Sequence, residues 1–489
     1  PATEYYDFLK SGEMKLSGWG KYRWFETFIS LDFLYERYNE EWMRELAKIL
    51  KEQGFDYSTA IENWKKPSHK WQMKTHIVNI TMMLKSEAVS HNLLGEEYTD
   101  NAEKLREILD RYNGTAFESF TGDEVLSGLD PTRGTELCAV VEHMYSYEEM
   151  FAHTGDNKWA ERLEVIGFNA LPATLSEDMW THQYVQQVNQ IACQKTMIMA
   201  PWSTNGPEAN NFGLEPNFGC CTANYHQGWP KFVQNLWYAS KDHGAAAFVY
   251  APSSATVVVA DGVEAIFRQE TGYPFEETVN VTVDFAKKKV RKATFPLYFR
   301  IPEWCGNARI LVNGAAFEAS VENRMARLER EWSRGDVVTL EFPMSVRTSR
   351  WYDGSTVVER GPLVYALKME EKWEKKTFEP EKQDKYGAYY WEVTSDTKWN
   401  YGFRRDDLKP ENFVVEVRDI AGAYPWNLEN APVSIKAKAV ELPYWKEYNG
   451  STGPVAYYNE MRNDMGAEVW IELIPFGCTT LRIAEFPTR

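Results

Sequence analysis

The sequence predicts a multidomain protein that is helical in its first part and β-rich in the remainder. The chain has 489 residues, whereas a single hydrophobic core seldom exceeds about 250–300 residues. Apolar residues recur at helical spacing over the first part, and short strands separated by Gly, Pro and Asn turns follow from Gly244 onwards. We therefore expect a helical domain at 1–242, a first β-sandwich at 243–346 and a second at 347–489.

Amphipathic segments joined by short turns define the helical region. Apolar periodicity predicts helices at residues 24–35, 40–53, 71–94, 100–112, 156–168 and 223–238. Gly54 is placed to stop the second of these, and Pro230 is expected to bend the last. A further helix is expected to begin at an N-cap Thr135 and to run to His153.

Two irregular stretches interrupt this helical pattern. Residues 120–134 are rich in Gly, Pro and acidic side chains, and residues 176–219 are rich in Gln, Asn, Pro and Trp. Loops inside a compact domain carry function more often than cores do, and long ones are usually functional. We expect both stretches to contribute to a site.

The β region is marked by alternating strands. The pattern predicts strands at residues 247–250, 255–259, 279–283, 297–301, 309–312, 337–342 and 357–367. Asn313-Gly314 is a strong hairpin signal. The last β-rich part is expected to end near Ile483.

Three of the six cysteines lie in two short stretches, Thr135-Glu136-Leu137-Cys138 and Gly219-Cys220-Cys221. Three thiolates and one carboxylate supply the four ligands that tetrahedral zinc prefers. A helix N-terminus near Glu136 would offset the negative charge of such a centre. Two alternatives stay open: the cysteines fill a core, or His226 replaces Glu136 as the fourth ligand.

Charge and composition narrow the class of protein. The 54 basic and 71 acidic residues give a net charge of −17, which argues against nucleic acid or an anionic membrane surface as a partner. No apolar run approaches the roughly 18 residues of a membrane span. The 19 Trp, 27 Tyr and 25 Phe suit either sugar-binding surfaces or large β-sandwich cores. The number and spacing of the cysteines do not decide in which compartment the protein functions, and we expect a secreted or periplasmic protein. The sequence does not indicate the oligomeric state.

Several motifs together resemble the β-L-arabinofuranosidases of glycoside hydrolase family 127 and its neighbour, family 146. The resemblance extends over nearly the whole chain, and single motifs are weak signals. The motifs are Gly122-Asp123-Glu124, Arg133-Gly134-Thr135-Glu136-Leu137-Cys138, Asn189-Gln190, Gly219-Cys220-Cys221, Gly272-Tyr273-Pro274-Phe275, and Arg360-Gly361-Pro362-Leu363-Val364-Tyr365.

The resemblance implies a six-hairpin (α/α) barrel followed by two β-sandwiches. The pattern predicts about seven helices where such a barrel has twelve, so we expect an N-terminally incomplete barrel. The resemblance also implies zinc held by Glu136, Cys138, Cys220 and Cys221, with Cys220 as nucleophile and Glu124 as acid/base. In this family the acid/base usually follows Gly directly, whereas Asp123 intervenes here, and Glu118 is a rival.

The implied chemistry is retaining hydrolysis that releases L-arabinofuranose from a plant-type arabinose-containing glycan. A free cysteine is largely protonated at neutral pH, so zinc would secure a thiolate and later stabilise its departure. His76, Tyr184 and Gln187 are candidate sugar-binding residues, although a core histidine and a generic polar loop explain them equally well. The competing hypothesis is a non-catalytic carbohydrate-binding or structural protein whose zinc only joins two loops.

Overall fold

The computed structural model describes residues 2–196, 202, 204–214, 219–422, 424–459 and 461–489. Helices dominate the described chain up to residue 234, and one short helix follows in the β-rich part. The helices are α1 (Ala2–Ser11), α2 (Gly18–Tyr22), α3 (Glu26–Tyr38), α4 (Glu41–Gln53), α5 (Ile61–Trp64), α6 (Ile77–Met83), α7 (Ser86–Leu94), α8 (Asn101–Asn113), α9 (Leu137–Thr154), α10 (Lys158–Asn169), α11 (Gly219–Gln234) and α12 (Pro380–Tyr386). Among the described residues, no helix combines the length and apolarity needed to cross a membrane.

Most helix positions follow the apolar periodicity. The amphipathic helix α4 buries Met43, Leu46 and Leu50 and ends at Gly54, as its pattern predicts. The predicted helix at 71–94 is instead divided into α6 and α7. Before α6, His76 has extended backbone angles and caps the helix by accepting the Asn79 N–H. The polar capping residue therefore accounts for the start of α6 at Ile77 instead of Trp71, but not for the break between α6 and α7.

Strands are the main regular structure of the described chain after α11, and four short strands precede it. The strands are β1 (Gly134–Glu136), β2 (Val185–Gln187), β3 (Asn189–Gln190), β4 (Phe212–Gly213), β5 (Trp237–Ala239), β6 (Ala245–Ala247), β7 (Ser253–Val259), β8 (Val263–Thr271), β9 (Thr278–Phe285), β10 (Lys292–Arg300), β11 (Arg309–Val312), β12 (Ala315–Ala316), β13 (Ser320–Glu322), β14 (Met325–Ser333), β15 (Val337–Glu341), β16 (Val346–Arg350), β17 (Thr356–Arg360), β18 (Leu363–Leu367), β19 (Lys372–Thr377), β20 (Tyr389–Thr394), β21 (Tyr401–Gly402), β22 (Val414–Val417), β23 (Val433–Glu441), β24 (Glu468–Pro475) and β25 (Arg482–Ile483).

The first β region contains two sheets. One has the order β13-β14-β10-β6-β5 and the other has the order β12-β11-β15-β9-β8-β7. Trp237 of the first sheet stacks on Phe267 of the second, with ring centroids 5.0 Å apart. The hairpin predicted at Asn313-Gly314 joins β11 to β12, and both residues have the positive φ that such a turn requires.

The second β region is built on a sheet of order β16-β17-β18-β24-β23-β21, to which β22 adds by pairing with β23. A smaller sheet, β19-β20-β4, combines a hairpin of this region with a strand from the irregular stretch before α11. The described chain is therefore a helical region followed by several β-sheets.

Helix α10 ties both β regions to the helical part. The buried Arg300 of β10 reaches Glu161 and Glu164 at 2.5 Å each. Asn169, at the end of α10, donates to the Pro362 carbonyl at 2.9 Å and accepts the Val364 N–H at 2.8 Å. These bonds fix α10 against β10 and β18 and so set the position of the site helices beside it.

The final strand lies in an unexpected place. The sequence pattern assigns residues near Ile483 to the last β domain, whereas β25 pairs with β3 of the irregular stretch. Asn189 of β3 donates to the Glu485 carbonyl at 2.9 Å, and its side-chain oxygen accepts the backbone N–H groups of Ala484 and Glu485. The C-terminal tail is thus bound against the helical region.

Candidate active site

The loop at 120–134 brings Glu124 next to the start of α6. The Glu124 carbonyl accepts the Ile77 N–H at 2.8 Å, and the Leu126 N–H donates to the Thr75 carbonyl at 3.1 Å. The buried Asp123 carboxylate points to another segment, where it accepts the backbone N–H groups of Thr204 and Asn205. The two neighbouring acids therefore have different surroundings, and Asp123 anchors the loop.

Three side chains hold the Glu124 carboxylate. Trp71 Nε1 donates to Oε2 at 2.8 Å, the Tyr184 hydroxyl donates to Oε1, and His76 Nε2 lies 3.3 Å from Oε2. Because His76 Nδ1 accepts the Asn79 N–H, the proton of the neutral ring is on Nε2, which donates to Glu124. Burial acts to raise the pKa of Glu124, but the hydrogen bonds from His76, Tyr184 and Trp71 outweigh it and hold that pKa below its ordinary value.

Glu136, Cys138, Cys220 and Cys221 form a cluster whose ligand atoms all lie within 4.8 Å of one another. The Cys138 and Cys221 sulfurs are 3.3 Å apart, and the Cys220 sulfur is 3.9 Å from Glu136 Oε1. Cys138 and Cys221 are buried, whereas Cys220 is exposed. The two stretches identified from sequence therefore meet in space.

Both cysteine-bearing stretches are helix starts. Glu136 is the N-cap of α9 and Cys138 lies in its first turn, so the expected N-cap Thr135 belongs to β1 instead. Cys220 and Cys221 lie in the first turn of α11, rather than in the loop before a helix predicted at 223–238. Two helix N-termini thus converge on the cluster, and their partial positive charges favour thiolates there.

The cluster suits a cation with soft ligands. The buried Glu136 Oε2 has no hydrogen-bond partner among the described residues, although an uncompensated buried carboxylate is costly. Burial, together with the nearby Glu124 and Cys220, raises the pKa of Glu136. Hydrogen bonds from Cys138 and Cys221 lower the pKa of Cys220, the accessible sulfur. The hydrogen bond to Cys220 raises the pKa of Cys138, and burial raises the pKa of Cys221, so without a cation only one of the three thiols is favoured as a thiolate. Three thiols and one carboxylate match the donor set of a tetrahedral zinc site.

A second metal-like group shares Glu136 with the first and adds His76 and Glu124. Both ring nitrogens of His76 are already used in hydrogen bonds, and the Glu124 carboxylate already accepts three. The four-residue cluster is therefore the better metal site of the two.

A cavity of about 480 Å³ connects the cluster to Glu124, and Glu124, Glu136, Cys138, Cys220 and His76 all line it. Its other lining residues are Trp19, Arg23, Trp71, Val78, Glu142 and Asn224. The exposed rings of Trp19 and Trp71 meet edge to face with centroids 5.6 Å apart. The cavity thus presents flat aromatic surface at its mouth and acidic and sulfur groups inside, an arrangement that suits a sugar.

Three residues named from sequence lie elsewhere. The buried Gln187 donates through its side-chain amide to the Thr132 carbonyl and is not among the described residues that line this cavity. Glu118 is paired with Arg106 at 3.0 Å and Arg162 at 3.2 Å. His226 is exposed on α11 and outside the described metal-like clusters.

Sequence reasoning missed the wall formed by Trp19, Trp71 and Arg23. The Arg23 guanidinium lies over the Trp19 ring at 4.4 Å and donates to Asn79 Oδ1 at 2.8 Å. These residues come from segments that carry no motif. The high aromatic content of the chain is consistent with a sugar-binding surface, but it does not indicate which tryptophans form one.

Two protein-family models match the chain. The β-L-arabinofuranosidase GH127 catalytic domain matches residues 112–234, and the β-L-arabinofuranosidase GH127 middle domain matches residues 246–344. A search of curated proteins finds no match. The catalytic-domain match contains Glu124, Glu136 and all three clustered cysteines.

Solved structures share the fold at low sequence identity. A GH127 β-L-arabinofuranosidase from Geobacillus stearothermophilus T6 is 18% identical with a TM-score of 0.69, over 100% of this chain and 76% of that one. A glycoside hydrolase is 20% identical with a TM-score of 0.68, over 94% and 74%. A GH127 β-arabinofuranosidase is 17% identical with a TM-score of 0.62, over 94% and 68%.

Proposed function

We propose that this chain is a retaining glycoside hydrolase that releases L-arabinofuranose, with Cys220 as nucleophile, because residues 112–234 and 246–344 match the catalytic-domain and middle-domain models of glycoside hydrolase family 127. The observation that carries this proposal is the cavity in which Cys220 and Glu124 face a common space. Of the three clustered thiols, Cys220 alone is exposed, so it alone can reach a sugar.

The reaction proceeds in two steps with retention of configuration. The Cys220 sulfur attacks the anomeric carbon, a C–S bond forms, and the glycosidic C–O bond breaks as a protonated Glu124 gives its proton to the leaving oxygen. Because the pKa of Glu124 is held below its ordinary value, this protonated form is the minor one at neutral pH. Glu124 then takes a proton from water, the water oxygen attacks the same carbon, and the C–S bond breaks to restore the thiolate.

Zinc is the proposed cofactor, held by Glu136, Cys138, Cys220 and Cys221. When bound, it would keep the thiols ionised at neutral pH and stabilise sulfur as a leaving group. Tyr184 and His76 orient the Glu124 carboxylate through the hydrogen bonds they donate. Trp19 and Trp71 offer ring surface to the apolar faces of the sugar.

The helical region is proposed to be part of an (α/α) barrel and the β regions to be two sandwiches, in keeping with the resemblance. We further propose an arabinofuranose-containing glycan as substrate and a secreted or periplasmic location.

The alternative is a non-catalytic protein in which the metal only joins α9 to α11. The one observation in its favour is the complete set of four protein ligands, which is typical of structural zinc sites. The exposure of Cys220 and the cavity beside it favour catalysis instead.

Zinc content measured together with activity on an aryl β-L-arabinofuranoside tests the proposal. The wild type should contain one zinc per chain, and Cys138→Ala should lose the metal and about a hundredfold or more of the activity. Cys305→Ala is a matched control, since this buried cysteine lies outside the cluster.

A mechanism-based inhibitor separates the two hypotheses. It should leave a sugar on the Cys220 sulfur, detectable by peptide mass spectrometry, if the protein is the proposed enzyme. A zinc-loaded wild type that is neither labelled nor active would establish the structural role. Full zinc occupancy in Cys138→Ala would remove the ligand assignment.

A further inference from the structure

A second cavity, of about 690 Å³, lies away from the candidate active site. It lies between the segment after α10, the β19–β20 hairpin, residues 426–429 and the C-terminal tail, and it shares no lining residue with the cavity around Glu124. Trp373, Trp391 and Trp426 line it, and we call it the tryptophan cavity. Its volume is in the range of small-ligand sites.

The three-stranded sheet β19-β20-β4 presents two of the three indoles. Trp373 of β19 is opposite Val393 of β20, and Trp391 lies two residues from that partner. Side chains two residues apart share a face of a sheet, so both indoles are on one face, and their centroids are 6.2 Å apart. Phe212 of β4 pairs with Trp391 and packs its ring 5.0 Å from that of Trp373. The aromatic surface is therefore formed in advance of any ligand.

Acidic groups surround this aromatic surface. Glu371 accepts the Trp373 indole N–H at 2.9 Å and the Thr480 N–H at 2.6 Å, which fixes the ring against the C-terminal tail. Glu177, Asp178 and Glu429 also line the cavity, and all three are exposed. These carboxylates can accept hydrogen bonds from hydroxyl groups, and they repel anions.

We propose that the tryptophan cavity binds a neutral oligosaccharide segment of the glycan from which the active site releases sugar. Indole faces stack on the apolar faces of sugar rings, and exposed carboxylates accept from sugar hydroxyls. The identity of the glycan rests on the proposed function, whereas the preference for a neutral sugar chain rests on the cavity itself.

The position of the cavity suits such a role. Residues 176–178 line the cavity, and the same segment continues to His182 beside α11. There, His182 Nε2 is 3.1 Å from Thr222 Oγ1. Thr222 follows Cys221 in the first turn of α11. A polymer held in the cavity would therefore remain close to the active-site helix.

Affinity electrophoresis of the full chain in neutral arabinan and in anionic polygalacturonate tests the proposal. Arabinan should retard the wild type, and soluble arabino-oligosaccharide should reverse the effect. Trp391→Ala should raise the dissociation constant about tenfold and leave activity on an aryl β-L-arabinofuranoside unchanged. Trp470→Ala is the matched control, because this exposed tryptophan is on β24 and does not line the cavity.

A rim variant guards against a folding defect in Trp391→Ala. Glu177 is exposed, so Glu177→Lys should fold normally, and it should reduce the retardation by arabinan because one hydrogen-bond-accepting carboxylate is lost. Polygalacturonate should retard neither the wild type nor this variant, since other carboxylates still line the cavity. Equal retardation of the wild type and Trp391→Ala, or none for the wild type, would overturn the inference even if the aryl glycoside is hydrolysed. Retardation that depends on Trp391 without any hydrolysis would instead sustain the sugar site and reject the proposed enzyme.

Discussion

At the scale of single residues, the surroundings of Glu124 and Glu118 distinguish the two candidate acids. Glu124 lines the cavity with Cys220 and is held by His76, Trp71 and Tyr184. Glu118 is occupied by two arginines and is not among the described residues that line this cavity. This difference in surroundings is the reason why we propose Glu124, rather than Glu118, as the acid/base.

Glu124→Gln should slow hydrolysis of substrates with poor leaving groups by about 10²–10⁴-fold, because proton donation is lost. An aryl substrate needs little acid help, so its sugar should be transferred to Cys220 and then wait for water. Azide, which needs no general base, should restore turnover and give a glycosyl azide of retained configuration. Product analysis by NMR checks this result.

Glu118→Gln is the matched control and should show no response to azide. Rescue of Glu118→Gln, with Glu124→Gln unimpaired on natural substrates, would transfer the acid/base role to Glu118. An azide product of inverted configuration would remove Cys220 as the nucleophile.

The sequence reveals the cysteine cluster but not the wall that faces it. Two adjacent cysteines and a separate Glu-x-Cys sequence each have few common roles in proteins. Their residue types alone therefore suggest that the two stretches bind one metal together. Trp19 and Trp71 meet across 52 residues of chain through tertiary packing, and their local sequence carries no sign of it. Gln187 is the opposite case. Its position in a suspected site loop predicts sugar binding, whereas its side-chain amide donates a hydrogen bond to the Thr132 carbonyl.

At the scale of elements, the short β1–β2 pair positions both halves of the site. Glu136 is opposite Val185 in register, and the Leu137 N–H donates to the Tyr184 carbonyl at 3.0 Å. This pair therefore holds the proposed metal ligand Glu136 and the hydroxyl partner of Glu124 at once. Sequence periodicity does not reveal it, because three-residue strands are too short to show alternation.

Gly134→Ala should disturb this pair. A Cβ at Gly134 would lie 2.2 Å from Val185 Cγ1 and 3.1 Å from Trp202 Cβ, and β-branched Val185 has little rotamer freedom to move away. We expect a loss of about 1–3 kcal/mol in the free energy of unfolding, with lower zinc content and activity. Denaturant unfolding and metal analysis measure these changes.

Gly306→Ala is the matched control, because a Cβ there meets nothing within 4 Å. Zinc content and activity equal to wild type in Gly134→Ala would mean that β1–β2 tolerates the displacement and does not set the ligand geometry.

At the scale of the whole molecule, the order of helical and β regions is predictable but their connections are not. Local apolar spacing determines most helices and strands, as α4 and the β11–β12 hairpin illustrate. The β3–β25 pair joins residues almost 300 positions apart, and the two strands have only two residues each. Strand pairing at that separation depends on the complete fold, so no local sequence pattern predicts it.

The docked tail carries a pH-sensitive group, Glu485. Its side chain is buried and accepts a hydrogen bond from Ser355 Oγ at 2.8 Å. Burial raises the pKa of Glu485 to about 8, whereas a glutamate in the unfolded chain has a pKa of about 4.3. The folded state therefore retains a proton that the unfolded state releases, and this residue destabilises the fold increasingly as pH rises from the unfolded to the folded pKa.

Glu485→Gln keeps the size of the side chain and removes this titration. Because the variant is spared the penalty of a buried carboxylate, its free energy of unfolding relative to wild type should rise by about 3 kcal/mol between pH 5 and pH 8. Urea unfolding at several pH values measures the difference, and Glu411→Gln, at an exposed glutamate, should show no such trend. A difference that stays constant across this range would mean that Glu485 ionises freely in the folded protein and that the tail is not held as tightly against β3 as the bonds to Asn189 indicate.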